Sequence, residues 1–422
     1  MIGLSRRGFV GASGALAATA LTGLARAAQR ESDTFNAMRL PPPIGRAERG
    51  ARIARAQALM KANDLGAILI ESGPSLDYFT GVRWGRSERL TGTVIPAEGD
   101  PIIVTPFFEK PSVAETLAIP AEIRTWNEDE EPLRLVADFI RSKRIGRARV
   151  GMEETNRFFL IDRLGQQLPG ARIVSANPVV RALRMIKTAP ERDLMRAANW
   201  ITLDAIRAVH PRLKPGLSDA DVRALLSKEM VARGGTDPWA LVLFGAASAL
   251  PHGTGKPQRL EAGDVVLIDT GCALHGYQAD ISRTFVVGKD PTREQRIVWQ
   301  QVQLGQQIAW NALKVGTPAG QVDDMVRRAY TSWGYGPGYK LPGLSHRTGH
   351  GIGMEGHEPV NLVHGEGTPL AAGMCFSNEP GLYLPGKFGV RFEDCFHMTE
   401  IGPRWFTIPP SSLEEPVGIG RR

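Results

Sequence analysis

The chain has 422 residues but only three cysteines, Cys272, Cys375 and Cys395, and an odd count this small excludes a framework of disulfides. After residue 28 it lacks any run of about 18 consecutive apolar residues, the length that a membrane-spanning helix needs. It also lacks a cluster of basic residues, although the formal net charge is +7. We therefore expect no nucleic-acid partner and no stable membrane insertion, and we interpret the cysteines as small buried residues.

The N-terminus has the three parts of an export signal. Ser5-Arg-Arg-Gly-Phe9 is a twin-arginine segment, the stretch from Val10 to Leu24 is small and apolar, and Ala25-Arg-Ala27 offers a cleavage site. This pattern resembles twin-arginine signals, so residues 1–28 are predicted to be a cleaved signal peptide read by the twin-arginine export machinery. The mature protein would then be periplasmic. An ordinary basic N-terminus, or a signal for the general secretory route, is the alternative.

Residues 34–186 alternate between strand and helix patterns, which predicts an α/β domain without a glycine-rich phosphate loop. A capping box at Thr188–Glu191 begins a long helix, and the second domain is expected over 187–418. The predicted elements of the first domain are helices at 51–63, 133–143 and 157–167, and strands at 67–70, 91–96, 102–104 and 149–152.

Two strand-like runs flank the polar break His275-Gly276, which predicts a β-hairpin. A turn centred between Leu274 and His275 would set Asp269 directly opposite Asp280, where like charges are destabilising. Because each aspartate interrupts an apolar run, an unpaired carboxylate there would be costly, and a cation between the two removes the problem. Two carboxylates that end buried strands and reach water are the alternative.

The histidines are concentrated near the C-terminal end. Eight serve the whole chain, and His346, His350 and His357 lie within twelve positions that also contain four glycines. Glycine lets the backbone approach a ligand closely, so this segment is a candidate for binding or catalysis. His252 precedes the aspartate hairpin in another glycine-rich loop, and on its own an ordinary loop histidine is the simpler interpretation.

A second hairpin repeats the acidic pattern of the first. Glu379 and Glu393 are equally distant from Gly386, which lies in a predicted turn, so the two glutamates are expected to face each other. Two hairpins that each oppose two acids within apolar strands are difficult to explain without metal ions. The sequence therefore predicts a metal site built from both hairpins.

These residues resemble the two-domain "pita-bread" metallopeptidases that include Xaa-Pro dipeptidases (prolidases) and Xaa-Pro aminopeptidases. The resemblance implies an α/β N-terminal domain plus an α+β pita-bread catalytic domain. It also implies that Asp280 and Glu393 bridge two divalent ions, with Asp269 on one ion and His350 and Glu379 on the other. Four carboxylates and one imidazole suit manganese, placed first here, as well as cobalt, iron or zinc.

The resemblance further assigns roles around these ions. A metal-bridging hydroxide would attack the peptide bond, and Glu379 would carry its proton to the leaving amine. His357 would donate to the developing oxyanion, with His252 beside it. His346 and Arg391 match substrate-pocket positions, although a structural pair of Arg391 with Asp394 or with a ligand glutamate is an equal alternative.

The predicted activity is hydrolysis of Xaa-Pro bonds in small peptides, with a dipeptidase preferred to an aminopeptidase, and a homodimer is allowed for. All five ligands argue against creatine-hydrolysing relatives, and the N-terminal domain and export argue against methionine aminopeptidases. Hydrolysis of a non-peptide amide or ester on the same fold, or a non-catalytic binding protein, remains as the alternative.

Overall fold

A computed structural model describes residues 40–145 and 149–418, so the predicted signal at 1–28 lies outside the described part of the chain. The described residues form two compact units, one of Pro43–Glu191 with Gly353–Glu355 and the other of Arg192–Ile352 with residues 356–418. The division falls inside the helix that begins at Ala189, a few residues after the predicted boundary at Ile186. Within the described ranges, no helix combines the length and apolarity needed to cross a bilayer.

The first unit is an α/β domain around a six-stranded mixed sheet of order β4-β3-β2-β1-β5-β6. Its central strand β1 is buried at every position, as expected for a strand with both faces covered. Its strands are β1 (Ala67–Glu71), β2 (Gly92–Pro96), β3 (Ile102–Pro106), β4 (Glu122–Trp126), β5 (Arg149–Met152) and β6 (Arg172–Ser175). Its helices are α1 (Arg46–Ala62), α2 (Pro74–Thr80), α3 (Lys110–Thr116), α4 (Pro132–Ser142), α5 (Phe158–Gln167) and α6 (Val180–Met185).

The four strands predicted for this unit are the inner strands of its sheet, and the two edge strands are additional. The strands near 91–96 and 102–104 pair antiparallel as β2 and β3, and β5 has the predicted bounds. The outer strands β4 and β6 were not predicted. Both are half-buried or exposed at most positions and mix polar with apolar residues, so neither leaves a continuous apolar run in the sequence.

The second unit contains four helices and three groups of strands. The helices are α7 (Ala189–Val209), α8 (Asp219–Ala232), α9 (Arg293–Ala312) and α10 (Ala319–Ser332). The strands are β7 (Thr236–Phe244), β8 (Val265–Leu274), β9 (Tyr277–Gln278), β10 (Ile281–Val286), β11 (Gly349–Gly351), β12 (Glu358–Leu362), β13 (Cys375–Asn378), β14 (Gly381–Leu384), β15 (Phe388–Arg391), β16 (Asp394–Thr399) and β17 (Gly402–Trp405). They form the sheets β10-β8-β7 (with β9 on β8) and β12-β11-β13-β16-β17, and the pair β14-β15.

A shared core fixes the first of these sheets against helices α7 and α8. Ile206 of α7 and Leu226 of α8 are fully buried together with Val266 and Ile268 of β8. Ser218 caps α8 with a complete capping box, as its sequence suggests. This core holds β8 rigidly, so the side chains on its opposite face have a fixed direction.

One backbone bridge brings the two acid-bearing regions side by side. Ser282 of β10 and Glu393 exchange both backbone hydrogen bonds, each with an N–O distance of 3.2 Å. This bridge joins the edge of the first sheet to Glu393, which lies between β15 and β16. This junction is where the candidate site forms.

Candidate metal centre

The first hairpin, β8 to β10, has a register different from the predicted one. Leu274 pairs with Tyr277, and Asp269 lies opposite Ser282 rather than Asp280. The reason is the turn: its two central residues are His275 and Gly276, with φ of 50° and 89°, as a type I′ turn requires. The predicted turn was centred one residue too early, so the prediction that the aspartates are direct partners was wrong.

The second hairpin, β13 to β16, has the predicted register. Gly381 pairs with Arg391 in the β14–β15 ladder, and Asn378 pairs with Asp394 in the β13–β16 ladder. Both pairings continue the symmetry about Gly386 that predicted Glu379 and Glu393 to face each other. The two glutamates occupy the break between these ladders, where the backbone passes from one sheet to the other.

The predicted ligand residues converge despite the shift in the first hairpin. Oxygen atoms of Asp269, Asp280 and Glu393 lie within 4.8 Å of one another, and so do ligand atoms of His350, Glu379 and Glu393. His350 Nε2 is 3.3 Å from Glu379 Oε1, 3.6 Å from Glu393 Oε1 and 3.7 Å from Asp280 Oδ2. Glu393 belongs to both groups, which is the geometry of a residue that bridges two ions.

The donor set fits divalent ions because several buried oxygens have no protein partner. Asp269 Oδ1, Asp280 Oδ1 and Glu393 Oε1 are inaccessible to solvent and accept no hydrogen bond from any described residue. Burial raises the pKa of Asp280 and Glu379 well above the usual carboxyl range, and the charge of Glu393 raises both further. An unpaired buried carboxylate is costly, so these groups either take up protons or bind cations.

His350 is oriented as a metal ligand by its second ring nitrogen. Nδ1 lies 3.0 Å from the carbonyl oxygen of Gly351, so the N–H is on Nδ1 and the Nε2 lone pair faces the carboxylates. Burial lowers the pKa of His350 to about 4, which keeps this ring neutral near pH 7. His357 packs edge-on against it with ring centroids 4.2 Å apart, and partial burial beside His350 lowers the pKa of His357 to about 4.

Arg391 is held by residues of the site rather than by Asp394. Its Nη2 donates to Asp269 Oδ2 at 2.5 Å, its Nε donates to Ser282 Oγ at 3.0 Å, and its Nη1 reaches Tyr383 Oη at 3.0 Å. Asp394 instead pairs with Arg283 at 2.7 Å, and both of those side chains are fully buried. Of the alternatives, pairing with a predicted metal ligand is observed: Asp269 is the direct partner, and the ligand glutamate Glu393 lies farther away, with Oε2 4.0 Å from Arg391 Nε.

Two residues of this network were missed by sequence reasoning. Tyr383 O–H donates to His346 Nε2 at 2.7 Å, while His346 Nδ1 faces the carbonyl oxygen of Arg347 at 2.8 Å. Ser282 Oγ–H donates to Glu393 Oε2 at 2.9 Å. Tyr383 follows Glu379 by four residues, an even spacing that places both side chains on one face of an extended chain, and this spacing could have identified it. No feature of the sequence marks Ser282.

The site opens into a cavity of about 840 Å³ within the second unit. The cavity is lined by all nine predicted site residues, and their individual roles stay predictions. Its other lining residues are Trp239, Leu241, Gln278, Tyr339, Arg347, Gly356 and Val363. Apolar walls around a small polar cluster are typical of a site for a small ligand.

Comparisons with known proteins agree with this geometry. A family model described as metallopeptidase family M24 matches residues 193–400, and one for the creatinase/prolidase N-terminal domain matches residues 52–186. A probable dipeptidase PepE of Mycobacterium tuberculosis is 34% identical, covering 83% of this chain and 92% of that protein. An Xaa-Pro dipeptidase of Pyrococcus furiosus is 29% identical, covering 84% and 97%. The structure of dipeptidase PepE from Mycobacterium ulcerans superposes with a TM-score of 0.80 at 32% identity, covering 88% and 98%.

Proposed function

Because the chain belongs to metallopeptidase family M24, we propose that it is a metal-dependent Xaa-Pro dipeptidase. The observation that carries this proposal is the cluster of five ligand residues, in which three buried carboxylate oxygens accept no hydrogen bond from a described residue. The names of its relatives support the substrate class, since they include dipeptidases and Xaa-Pro dipeptidases.

Asp269, Asp280 and Glu393 would hold one ion, and Asp280, His350, Glu379 and Glu393 the other, so that Asp280 and Glu393 would be shared. When bound, the ions supply Lewis-acid activation of the attacking water and of the peptide carbonyl. Manganese is the metal that we propose, because four carboxylates form a hard, oxygen-rich donor set. Metal analysis of the purified protein should give about two divalent ions per chain, and activity retained in full after chelation would contradict the proposal.

Glu379 is the proposed proton carrier. Its carboxylate lies beside His350 at 3.3 Å and faces the cavity, and burial raises its pKa. A carboxylate in this position can accept a proton from the attacking water and then release it to the leaving proline nitrogen. His252 lines the same cavity and is proposed as a substrate contact.

His357 is the proposed donor to the oxyanion. It lines the cavity, and its lowered pKa of about 4 leaves a neutral imidazole that can donate an N–H to the carbonyl oxygen as charge develops. His357→Ala should keep its metal but lose roughly 10²–10³-fold in kcat, the usual effect of removing one such donor. His364→Ala, which removes an exposed histidine paired with Asp324, is the matched control. Loss of metal together with activity would mark His357 as structural.

A substrate panel tests the activity itself. We expect cleavage of Ala-Pro, slower cleavage of Ala-Pro-Ala, and little of Ala-Ala or of an aryl ester. Faster cleavage of the ester than of every proline peptide would favour the alternative, a hydrolase of non-peptide amides or esters. Brisk cleavage of long Xaa-Pro peptides would favour an aminopeptidase.

The proposal includes export to the periplasm through the twin-arginine route, supported by the pattern of residues 1–28. Replacing Arg6-Arg7 with two lysines should leave active enzyme in the cytoplasm, as judged by fractionation. Unchanged periplasmic activity of that variant would contradict the route.

A further inference from the structure

The cavity contains two arginines, and they differ in how many of their donors are already used. A guanidinium has five N–H donors. Arg391 commits four of them, because its contacts include the carbonyl oxygen of Pro251 at 3.2 Å in addition to Asp269, Ser282 and Tyr383. It therefore has little capacity left for a substrate carboxylate, although its position was matched to the substrate pocket.

Arg347, in contrast, has most of its N–H donors unused. Its one side-chain hydrogen bond among the described residues runs from Nη1 to Asn361 Oδ1 at 2.8 Å, and no described acid lies within ion-pair distance. The side chain is half-buried and lines the cavity. A half-buried cation that faces a cavity with four unused donors is ready for an anionic ligand.

The position of Arg347 is fixed relative to the metal ligands. Asn361 of β12 is the direct partner of His350 in the β11–β12 ladder, and Arg347 lies three residues before His350. The hydrogen bond that Arg347 donates to Asn361 thus holds the guanidinium beside the strand that carries a metal ligand. Its charge contributes to lowering the pKa of His350 and of His357, which agrees with this proximity.

We propose that Arg347, positioned by Asn361, binds the free C-terminal carboxylate of the substrate and so restricts the enzyme to dipeptides. A planar guanidinium matches a carboxylate with two parallel N–H···O bonds. In an Xaa-Pro dipeptide that carboxylate is one residue beyond the scissile bond, whereas a longer peptide or an amide presents no charge there. This inference deepens the proposed function and rests on it.

The test compares Ala-Pro with its C-terminal amide, Ala-Pro-NH2, on the metal-loaded protein. Arg347→Gln should lower kcat/KM for Ala-Pro by about 10- to 100-fold, the size expected for one charged hydrogen-bonding partner, and change that for the amide by less than about threefold. Most of the loss should be in KM. Arg328→Gln, which removes the same charge from an exposed position on α10, is the matched control and should match the native protein.

Asn361→Asp provides a second variant that keeps Arg347. A carboxylate at that position would pair with the guanidinium and compete with the substrate, so KM for Ala-Pro should rise while the amide is cleaved as before. Calorimetry should also give weaker binding of L-proline to both variants, with L-prolinamide unaffected. Metal content and melting temperature should equal those of the native protein.

Equal losses on the acid and the amide, or no loss in Arg347→Gln, would overturn the role of Arg347 while leaving the proposed activity intact. Failure of the native protein to cleave Ala-Pro, its amide and Ala-Pro-Ala would instead overturn the proposed function, and this inference with it.

Discussion

The two acid-bearing hairpins direct their carboxylates into one cavity, but their loops differ. The first closes through two residues, His275 and Gly276, both with positive φ, and the second through Pro385, Gly386 and Lys387, with φ of 75° at Gly386. A two-residue loop centres the register between two residues, and a three-residue loop centres it on one. The loop therefore decides which residues are partners, and the alternation of side chains decides which face they share.

This distinction explains why Asp269 and Asp280 still lie close together although the predicted register was wrong. Moving the turn by one residue shifts each pairing by two positions, and a shift of two leaves every side chain on its original face. Asp280 became a diagonal neighbour of Asp269 rather than a direct partner. Ser282 is the direct partner of Asp269 instead, and its hydroxyl group hydrogen-bonds to Glu393 and Arg391.

The largest effect is expected when the ligand that both ions would share is removed from one hairpin, Asp280 from the first or Glu393 from the second. Asp280→Asn and Glu393→Gln should each lose most of the bound metal and nearly all activity, because both ions would share these two residues. Asp280 lies close to Glu393 and is also 3.7 Å from His350. Metal analysis and kcat measure the two losses. Asp290→Asn, an exposed carboxylate after β10, is the control. Full activity in either site variant would refute the shared arrangement.

A smaller effect on metal binding is expected at Ser282, which takes the place opposite Asp269 in the first hairpin. Ser282→Ala removes the hydrogen bond to Glu393 Oε2 and the acceptor for Arg391 Nε without removing a ligand. Loss of such a supporting contact typically lowers metal affinity by about 10- to 100-fold. Competition with a metal-binding dye measures the affinity. An unchanged affinity would mean that Ser282 only fills the space opposite Asp269.

The pH dependence of the metal-free protein separates the contributions of the hairpins. Asp280 in the first and Glu379 in the second have a pKa raised by burial, so the native state binds more protons than the unfolded state. Stability from these groups is complete below about pH 4 and is lost as the pH rises through the raised values. We therefore expect the melting temperature of metal-free protein to fall from pH 5 to pH 8.

Asp280→Asn and Glu379→Gln should each reduce this fall in melting temperature. The larger reduction identifies the hairpin whose buried carboxyl group lowers stability more when it ionises. Metal-loaded protein should not show this fall in melting temperature between pH 5 and pH 8. A melting temperature that rises over this range would contradict the assigned direction of the shifts.

The smallest effect should come from the loops themselves. Gly276 and Gly386 have φ of 89° and 75°, and a β-carbon at Gly386 would meet nothing within 4 Å. Gly386→Ala should therefore lower the free energy of unfolding by about 1 kcal/mol through backbone strain alone. Gly276→Ala should have a similar effect in urea unfolding. A much larger loss at Gly276, with loss of metal, would show that the first hairpin depends on its turn for register.

Sequence reasoning reached the fold class, and it singled out the four acids because acids within apolar strands are a local signal, whereas the family resemblance singled out His350. It could not reach the partners of Arg391, since Asp269 is 122 positions away and no local pattern connects them. Arg283, which neutralises Asp394 in the core, was missed for the same reason. Long-range polar pairing depends on how the sheets join, and the Ser282–Glu393 bridge that joins them leaves no trace in the periodicity of either strand.

The three cysteines are buried thiols that form no disulfide with one another, and this makes them natural reporters of motion. Burial raises the pKa of the Cys272 thiol to about 11 and also raises that of Cys395, so neither forms a reactive thiolate in the closed protein. Cys395 Sγ lies 3.2 Å from the backbone oxygen of Asp280, and Cys272 Sγ lies 3.4 Å from Thr202 on α7. The rate of alkylation at each thiol thus records how often the metal centre, or the helical layer, opens to solvent, without any added label.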